Sequence, residues 1–144
     1  MIEIIPVGGF SEIGRNSCIV QYNDQAVMLD FGLQMENYID LQQRTEERPS
    51  PAQLLRPPAL PDYPNVEYTV SHLNSICFTH AHLDHIGAVP YFIKDMNVPM
   101  HGTPFTVEVL RAILKDKHVH GYPSLVRHNP NSRFSVSEDI DVEF

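Results

Sequence analysis

Within six residues, His80-Ala81-His82-Leu83-Asp84-His85, the chain sets three imidazoles and one carboxylate. The block follows a short apolar run, Ser75-Ile76-Cys77-Phe78, and precedes Ile86, Ala88, Val89, Tyr91, Phe92 and Ile93. A buried strand must stop where the polar block begins, and a buried helix must start just beyond it. Pro90 fits that helix only in its first turn. Imidazole nitrogen and carboxylate oxygen are donors that Zn²⁺ accepts in catalytic sites. Spacing of two along an extended loop aims His80 and His82 at one point. Asp84 and His85, past the bend, aim at a second point nearby. Two metals at roughly 3.5–4 Å can clamp the attacking and leaving oxygens of a hydrolysis. The four residues thus propose half of a two-metal hydrolytic site. The competing reading is a solvated, His-rich turn.

The rest of the chain reads as strands and helices around that block. Ile2 to Val7 ends in Gly8-Gly9, a strand and turn. Ser17 to Tyr22 and Ala26 to Asp30, joined by Asn23-Asp24-Gln25, predict a β-hairpin. Six prolines, Pro49, Pro51, Pro57, Pro58, Pro61 and Pro64, fall inside residues 33–74. That density predicts an irregular surface excursion with turns and a short helix. Val98 to His101 predicts a brief strand. Thr103 as N-cap, Pro104 at the first position and the stripe Val109, Leu110, Ile113, Leu114 predict a helix. Residues 118–132 read as a polar loop, and Arg133–Val136 with Ile140–Phe144 as strands joined by a turn. Strands, then strand–helix–strand–helix, then strands, suit an α/β layered arrangement: a mixed sheet with helices packed on it.

Several residues carry two readings. Asp30, at the end of an apolar strand, is either a turn former or an acceptor that orients a ligand loop or imidazole. Gly8, Gly9 and Gly14 read as turn formers, because no phosphate-binding glycine pattern accompanies them. His72, His101 and His128 have no ligand-like spacing. His118-x-His120 reads as a solvated or locally hydrogen-bonded pair. Cys18 and Cys77 lie far apart in apolar stretches and read as buried small hydrophobes of a reducing compartment, not as a disulfide framework.

At 144 residues the chain reads as one domain with a real core. No apolar run reaches the ~18–20 residues of a membrane span, and the N-terminus has no secretory pattern. Ten Lys and Arg against eighteen Asp and Glu give a net charge of −8. This argues against generic adhesion to DNA or to anionic membrane. It leaves room for a nucleic-acid substrate held by metals and a few local donors.

The chain resembles the metallo-β-lactamase-fold hydrolases. His80-x-His82-x-Asp84-His85 after Phe78-Thr79 is similar to their second motif, and Asp30 after an apolar strand to their first. Three further segments resemble the ribonuclease J group of β-CASP nucleases. They are Val7 to Asn16, Thr79 to Tyr91 with Ile86-Gly87-Ala88-Val89-Pro90-Tyr91, and Val98 to Thr106 with Gly102-Thr103-Pro104. Residues 33–64, with Leu33-Gln34-Met35-Glu36-Asn37-Tyr38, look like the archaeal branch.

The resemblance implies the N-terminal half of an αβ/βα fold, and a role at each matching position. His80 and His82 would bind a first zinc, Asp84 and His85 a second, with Mn²⁺ as a substitute metal. Asp84 would also hold the attacking water, and Asp30 would support the ligands. Substrate-binding residues are not assigned. The implied activity is zinc-dependent cleavage of RNA, 5′ to 3′ from an end and also internally. The implied setting is a cytoplasmic, self-associating protein with no membrane partner. Other hydrolases of the same fold (a thioesterase, a lactonase, a tRNA-maturing nuclease) and a non-catalytic half-domain are the rival expectations. Members of the group carry further ligands and a β-CASP domain that residues 1–144 do not supply. The sequence therefore reads as a partial metallo-β-lactamase domain, expected by itself to bind zinc weakly and to be a poor nuclease.

Overall fold

Six strands form one sheet, and the residue that each contributes to its covered face can be read from the register. The computed structural model describes residues 1–45, 49–56, 58–67, 70 and 72–144. Strands β1 (Ile2–Gly8), β2 (Ser17–Tyr22) and β3 (Gln25–Leu29) pair antiparallel in sequence order. Asn23, at φ 55, turns the chain from β2 into β3, a conformation that asparagine tolerates. Helices α1 (Met35–Arg44), α2 (Pro51–Leu54) and α3 (Tyr63–Val66) then lead to β4 (Leu73–Cys77). Helices α4 (Leu83–Ile86) and α5 (Val89–Phe92) precede β5 (Met100–Gly102). Helix α6 (Pro104–Asp116) leads to β6 (Leu125–Arg127), and β7 (Arg133–Ser135) with β8 (Asp141–Glu143) makes a separate antiparallel pair.

The sheet order is β1-β2-β3-β4-β5-β6, with β3 to β6 parallel. Pairing aligns Ile5, Ile19, Met28, Ile76, Met100 and Leu125 in one row across all six strands. Ile19, Met28, Ile76 and Met100 in that row are buried, and Phe31, Phe78, Ile86, Leu110 and Leu114 pack into the same core. This is the mixed-sheet α/β arrangement expected from the order of elements. The parallel strands β3, β4 and β5 send their C-terminal ends to one edge, the edge where open α/β sheets place ligands.

Four local expectations differ from the structure. The described residues of 33–74 hold three helices, α1 of 10 residues and α2 and α3 of 4 each, and Leu54, Ala59 and Leu60 have no exposed surface. Proline is accommodated because it starts helices: Ser50 caps α2 through a reciprocal bond pair with Gln53, and a proline occupies the first turn of both α2 and α3. Pro57 lies outside the described residues. The helix expected across Ile86–Ile93 is two single turns, α4 and α5, broken at Gly87-Ala88. Gly87 is required there because a Cβ would meet the Leu33 side chain at 2.8 Å. Residues 125–127, read as loop, extend the sheet as β6, because three residues beside an existing strand need only backbone pairing. His101 and His128, read as isolated, have ring nitrogens 2.9 Å apart; β5–β6 pairing brings them together across the sheet.

Candidate metal centre

The register Leu29↔Cys77 brings the ends of β3 and β4 side by side. Beyond those ends the two segments stay knitted through the main chain. Asp30 N donates to Cys77 O (2.9 Å), Phe31 N to His85 O (2.6 Å), Leu33 N to Leu83 O (2.9 Å) and Ala88 N to Phe31 O (3.0 Å). A Cβ on Gly32 would collide with the Asp84 carbonyl oxygen, so the approach needs glycine. Residues 30–33 thus form a floor on which the loop 79–82 and helix α4 rest.

Asp30 is the hub of that floor. It is 6% exposed and sits at φ 58, a left-handed conformation that aspartate tolerates better than most residues. Its Oδ1 accepts from Thr79 N (2.8 Å), and its Oδ2 accepts from Thr79 Oγ1 (2.8 Å). His85 Nδ1 lies 2.8 Å from the same Oδ2. These contacts fix two tautomers. An ionised carboxylate only accepts, so a neutral His85 carries its proton on Nδ1 and turns the Nε2 lone pair outward. Thr79 has one hydroxyl hydrogen, which Asp30 takes. Thr79 Oγ1 therefore accepts from His80 Nδ1, 3.0 Å away, and His80 Nε2 also keeps its lone pair.

The four side chains singled out by the sequence meet at this edge. The His80 ring lies 4.5 Å from that of His82 and 4.1 Å from that of His85, centroid to centroid. His80 Nε2 is 3.0 Å from His82 Nδ1, and His85 Nε2 is 3.5 Å from Asp84 Oδ2. Two donors of one tetrahedral zinc, each about 2.0–2.1 Å from it, lie roughly 3.3–3.4 Å apart. Both separations are close to that edge length, and neutral imidazole plus carboxylate is the right chemistry, so the residues fit the metal. Among the described residues, no three His, Cys, Asp or Glu donors form a ready-made cluster for one ion; the donors come as two pairs.

Two participants were not singled out by sequence. Thr79 relays Asp30 to His80, and Asn16 Nδ2 lies 3.2 Å from both Asp84 Oδ2 and His85 Nε2. The signal was present for each: a polar side chain directly before the first imidazole, and one directly before the apolar run of β2. A cavity of about 680 Å³ opens beside His82 and Asp84, walled by Ile13, Gln34, Met35 and Leu83. His118 and His120 are exposed, as the sequence suggested. Both cysteines are free; burial raises both thiols, Cys77 to about 11, so neither offers a thiolate.

Residues 12–139 match the metallo-beta-lactamase superfamily. The chain belongs to this superfamily. Ribonuclease J of Methanocaldococcus jannaschii is 29% identical over 144 residues, covering 99% of this chain and 32% of that protein. Ribonuclease J of Pyrococcus abyssi is 30% identical over 146 residues, covering 100% of this chain and 32% of that protein. The chain spans about a third of the length of these relatives. Among solved structures, a protein of unknown function from Enterococcus faecalis superposes with a TM-score of 0.66 at 19% identity, over 95% of this chain and 36% of that one. Zinc-bound PqqB from Methylobacterium extorquens superposes with a TM-score of 0.55 at 12% identity, over 89% and 38%. These likenesses agree with the metallo-beta-lactamase fold seen in the sheet and its C-terminal edge. No helix among the described residues is long and apolar enough to cross a membrane.

Proposed function

We propose that this chain is the part of a ribonuclease that carries half of a two-zinc centre for hydrolysis of RNA phosphodiester bonds. The observation that carries the reading is the pairing of donors. His80 Nε2 and His82 Nδ1 would hold one ion, and Asp84 Oδ2 and His85 Nε2 the other. The likeness to proteins called ribonuclease J supplies the substrate class. When bound, the two ions would activate water and neutralise charge developing on the phosphorane oxygens.

The chain's own residues do the positioning. Asp30 holds His85 by its Nδ1 proton and, through Thr79, holds His80 by the same atom. Both rings therefore present Nε2 before any ion arrives, which lowers the ordering cost of binding. Asp84, the carboxylate of the donor set, would keep a water beside the reacting phosphate. The cavity next to His82 and Asp84 has Ile13, Met35 and Leu83 on its walls and the carboxylates of Glu12 and Glu36 as well, so a phosphate entering it would need the ions to offset that charge. Action from a 5′ end, internal cutting, a β-CASP domain, self-association and a cytoplasmic setting belong to this same reading of the longer protein, as does Mn²⁺ as an alternative ion.

The test compares the 144-residue chain, a chain extended to the length of its relatives, and His82→Ala in each. With two protein donors per ion, one short of the three usual in catalytic zinc sites, the 144-residue chain is expected to take up zinc weakly. It should cleave 5′-phosphorylated RNA slowly at best. The extended chain should cleave it, and His82→Ala should lose both zinc and cleavage. Zinc uptake untouched by His82→Ala would overturn the site. Hydrolysis of a thioester or lactone in place of RNA would overturn the substrate class.

A further inference from the structure

Asn16 makes contacts that neither the motif nor Asp30 accounts for. Its side-chain nitrogen lies 3.0 Å from the Asp84 carbonyl oxygen, 3.2 Å from Asp84 Oδ2 and 3.2 Å from His85 Nε2. Both oxygens can only accept, so the amide must present its NH₂ to them. The other end of the amide agrees. A Cβ on Gly9, itself at φ 83, would lie 2.7 Å from Asn16 Oδ1, so the amide oxygen faces a glycine turn that leaves it space. The Asn16 main chain is pinned on both sides: its N–H donates to Asp84 O (3.0 Å), and its C=O accepts from Gly32 N (3.0 Å).

One amide hydrogen serves the Asp84 carbonyl. The other falls between Asp84 Oδ2 and His85 Nε2. That requires a lone pair on His85 Nε2, the same tautomer that Asp30 imposes from the opposite side of the ring. Two independent contacts therefore fix one imidazole, and the second also fixes the neighbouring carboxylate.

Resting on the two-zinc reading, we propose that Asn16 is the positioning residue of the Asp84–His85 donor pair. Its shared N–H holds Asp84 Oδ2 and His85 Nε2 with their lone pairs turned to one point, and is released from His85 Nε2 when a divalent cation takes that nitrogen. The His80–His82 pair has no hydrogen bond to Asn16 among the described residues and does not depend on it in this way. The selectivity separates positioning from general support of the loop.

The experiment uses the ¹⁵N-labelled chain and long-range proton–nitrogen spectra, which resolve each imidazole nitrogen. Asn16→Leu keeps the branched shape and removes the donor. Asn16→Ala is the second variant if leucine disturbs the fold, and amide fingerprints report folding in both. Without metal, the variant should shift the His85 Nε2 resonance toward that of an unbonded lone pair while Nδ1 stays protonated. Under zinc titration, the His85 midpoint should move to about tenfold more zinc, the lower end for loss of a group that orients a ligand. The midpoints of His80 and His82 should stay in place. An unmoved His85 Nε2 without metal, or three midpoints moving together, overturns the proposal. If no imidazole of the unsubstituted chain responds to zinc, the two-zinc reading falls and the positioning role with it; the metal-free spectra still decide the hydrogen bond.

Discussion

Asp30 is asked for two things at once: a left-handed backbone at φ 58 and a carboxylate with both oxygens in use. Substitutions can separate them. An asparagine in its place would keep tolerance of the left-handed region and one accepting oxygen, but would turn an NH₂ toward groups that donate. Hydrogen bonds to a charged acceptor are worth about 1.5–3 kcal/mol, so Asp30→Asn is expected to cost about 2 kcal/mol. Asp30→Ala loses every bond and adds about 1–2 kcal/mol of left-handed strain, for a cost of about 3–4 kcal/mol. Urea unfolding midpoints of the two variants read the difference. Equal losses would mean that neither the backbone conformation at residue 30 nor the accepting oxygen that asparagine keeps contributes.

Elements were legible in the sequence where one segment holds its own information. Helix α6 is the clearest case, because Thr103, Pro104 and the apolar stripe lie within the helix they specify. In the structure Thr103 Oγ1 accepts from Thr106 N, as its place before Pro104 suggests. Thr103→Ala should cost about 1 kcal/mol, the usual loss of a cap, measured as a shift in the thermal midpoint. No shift would mean that burial of Val107, Leu110 and Leu114 alone sets the helix start. The hairpin of β2 and β3 was equally readable from the residues between its strands. Less was readable where an element borrows its partner. Strand β6 exists because β5 offers an open edge, and no residue in Leu125-Val126-Arg127 announces it. Leu54, Ala59 and Leu60 are buried because the sheet is there to receive them, while the prolines around them suggest only surface. The same division runs through the site. His80, His82, Asp84 and His85 sit within one segment and were found together. Thr79 and Asn16 matter only because Asp30 and Asp84 come to them from other parts of the chain.

At the scale of the whole molecule, His101 couples the main sheet to the β7–β8 pair. The residue is 8% exposed and its ring stacks on Phe134 of β7, centroids 4.9 Å apart, while His128 stacks on the same phenyl ring at 3.5 Å. His101 Nδ1 meets His128 Nε2 at 2.9 Å, and His101 Nε2 is buried without a partner among the described residues. The economical state is neutral: Nδ1–H donates to His128, and the unpaired Nε2 keeps only a lone pair. A second proton would put a charge on a nitrogen that has no acceptor. Burial accordingly lowers His101 from 6.5 to about 4, with the neighbouring His128 adding to the effect. Burial lowers His128 in the same direction.

The sign follows from proton counting. Between about 6.5 and 4 the unfolded chain binds a proton at His101 that the folded chain does not, so stability falls as pH falls through that window. Above it both states are neutral and nothing is lost; below it both are charged and the loss is complete. At about 1.4 kcal/mol per pH unit the loss from His101 is at most about 3 kcal/mol. Carboxylates elsewhere also destabilise the fold in acid, so the measurement is a comparison. Urea unfolding at pH 7, 5.5 and 4 should show a shallower decline for His101→Leu, which keeps the stack apolar and cannot take the proton. Parallel declines for the two proteins would mean that the charge is tolerated. That outcome would require the β7–β8 pair to give way and let water reach His101 Nε2 before the main sheet unfolds.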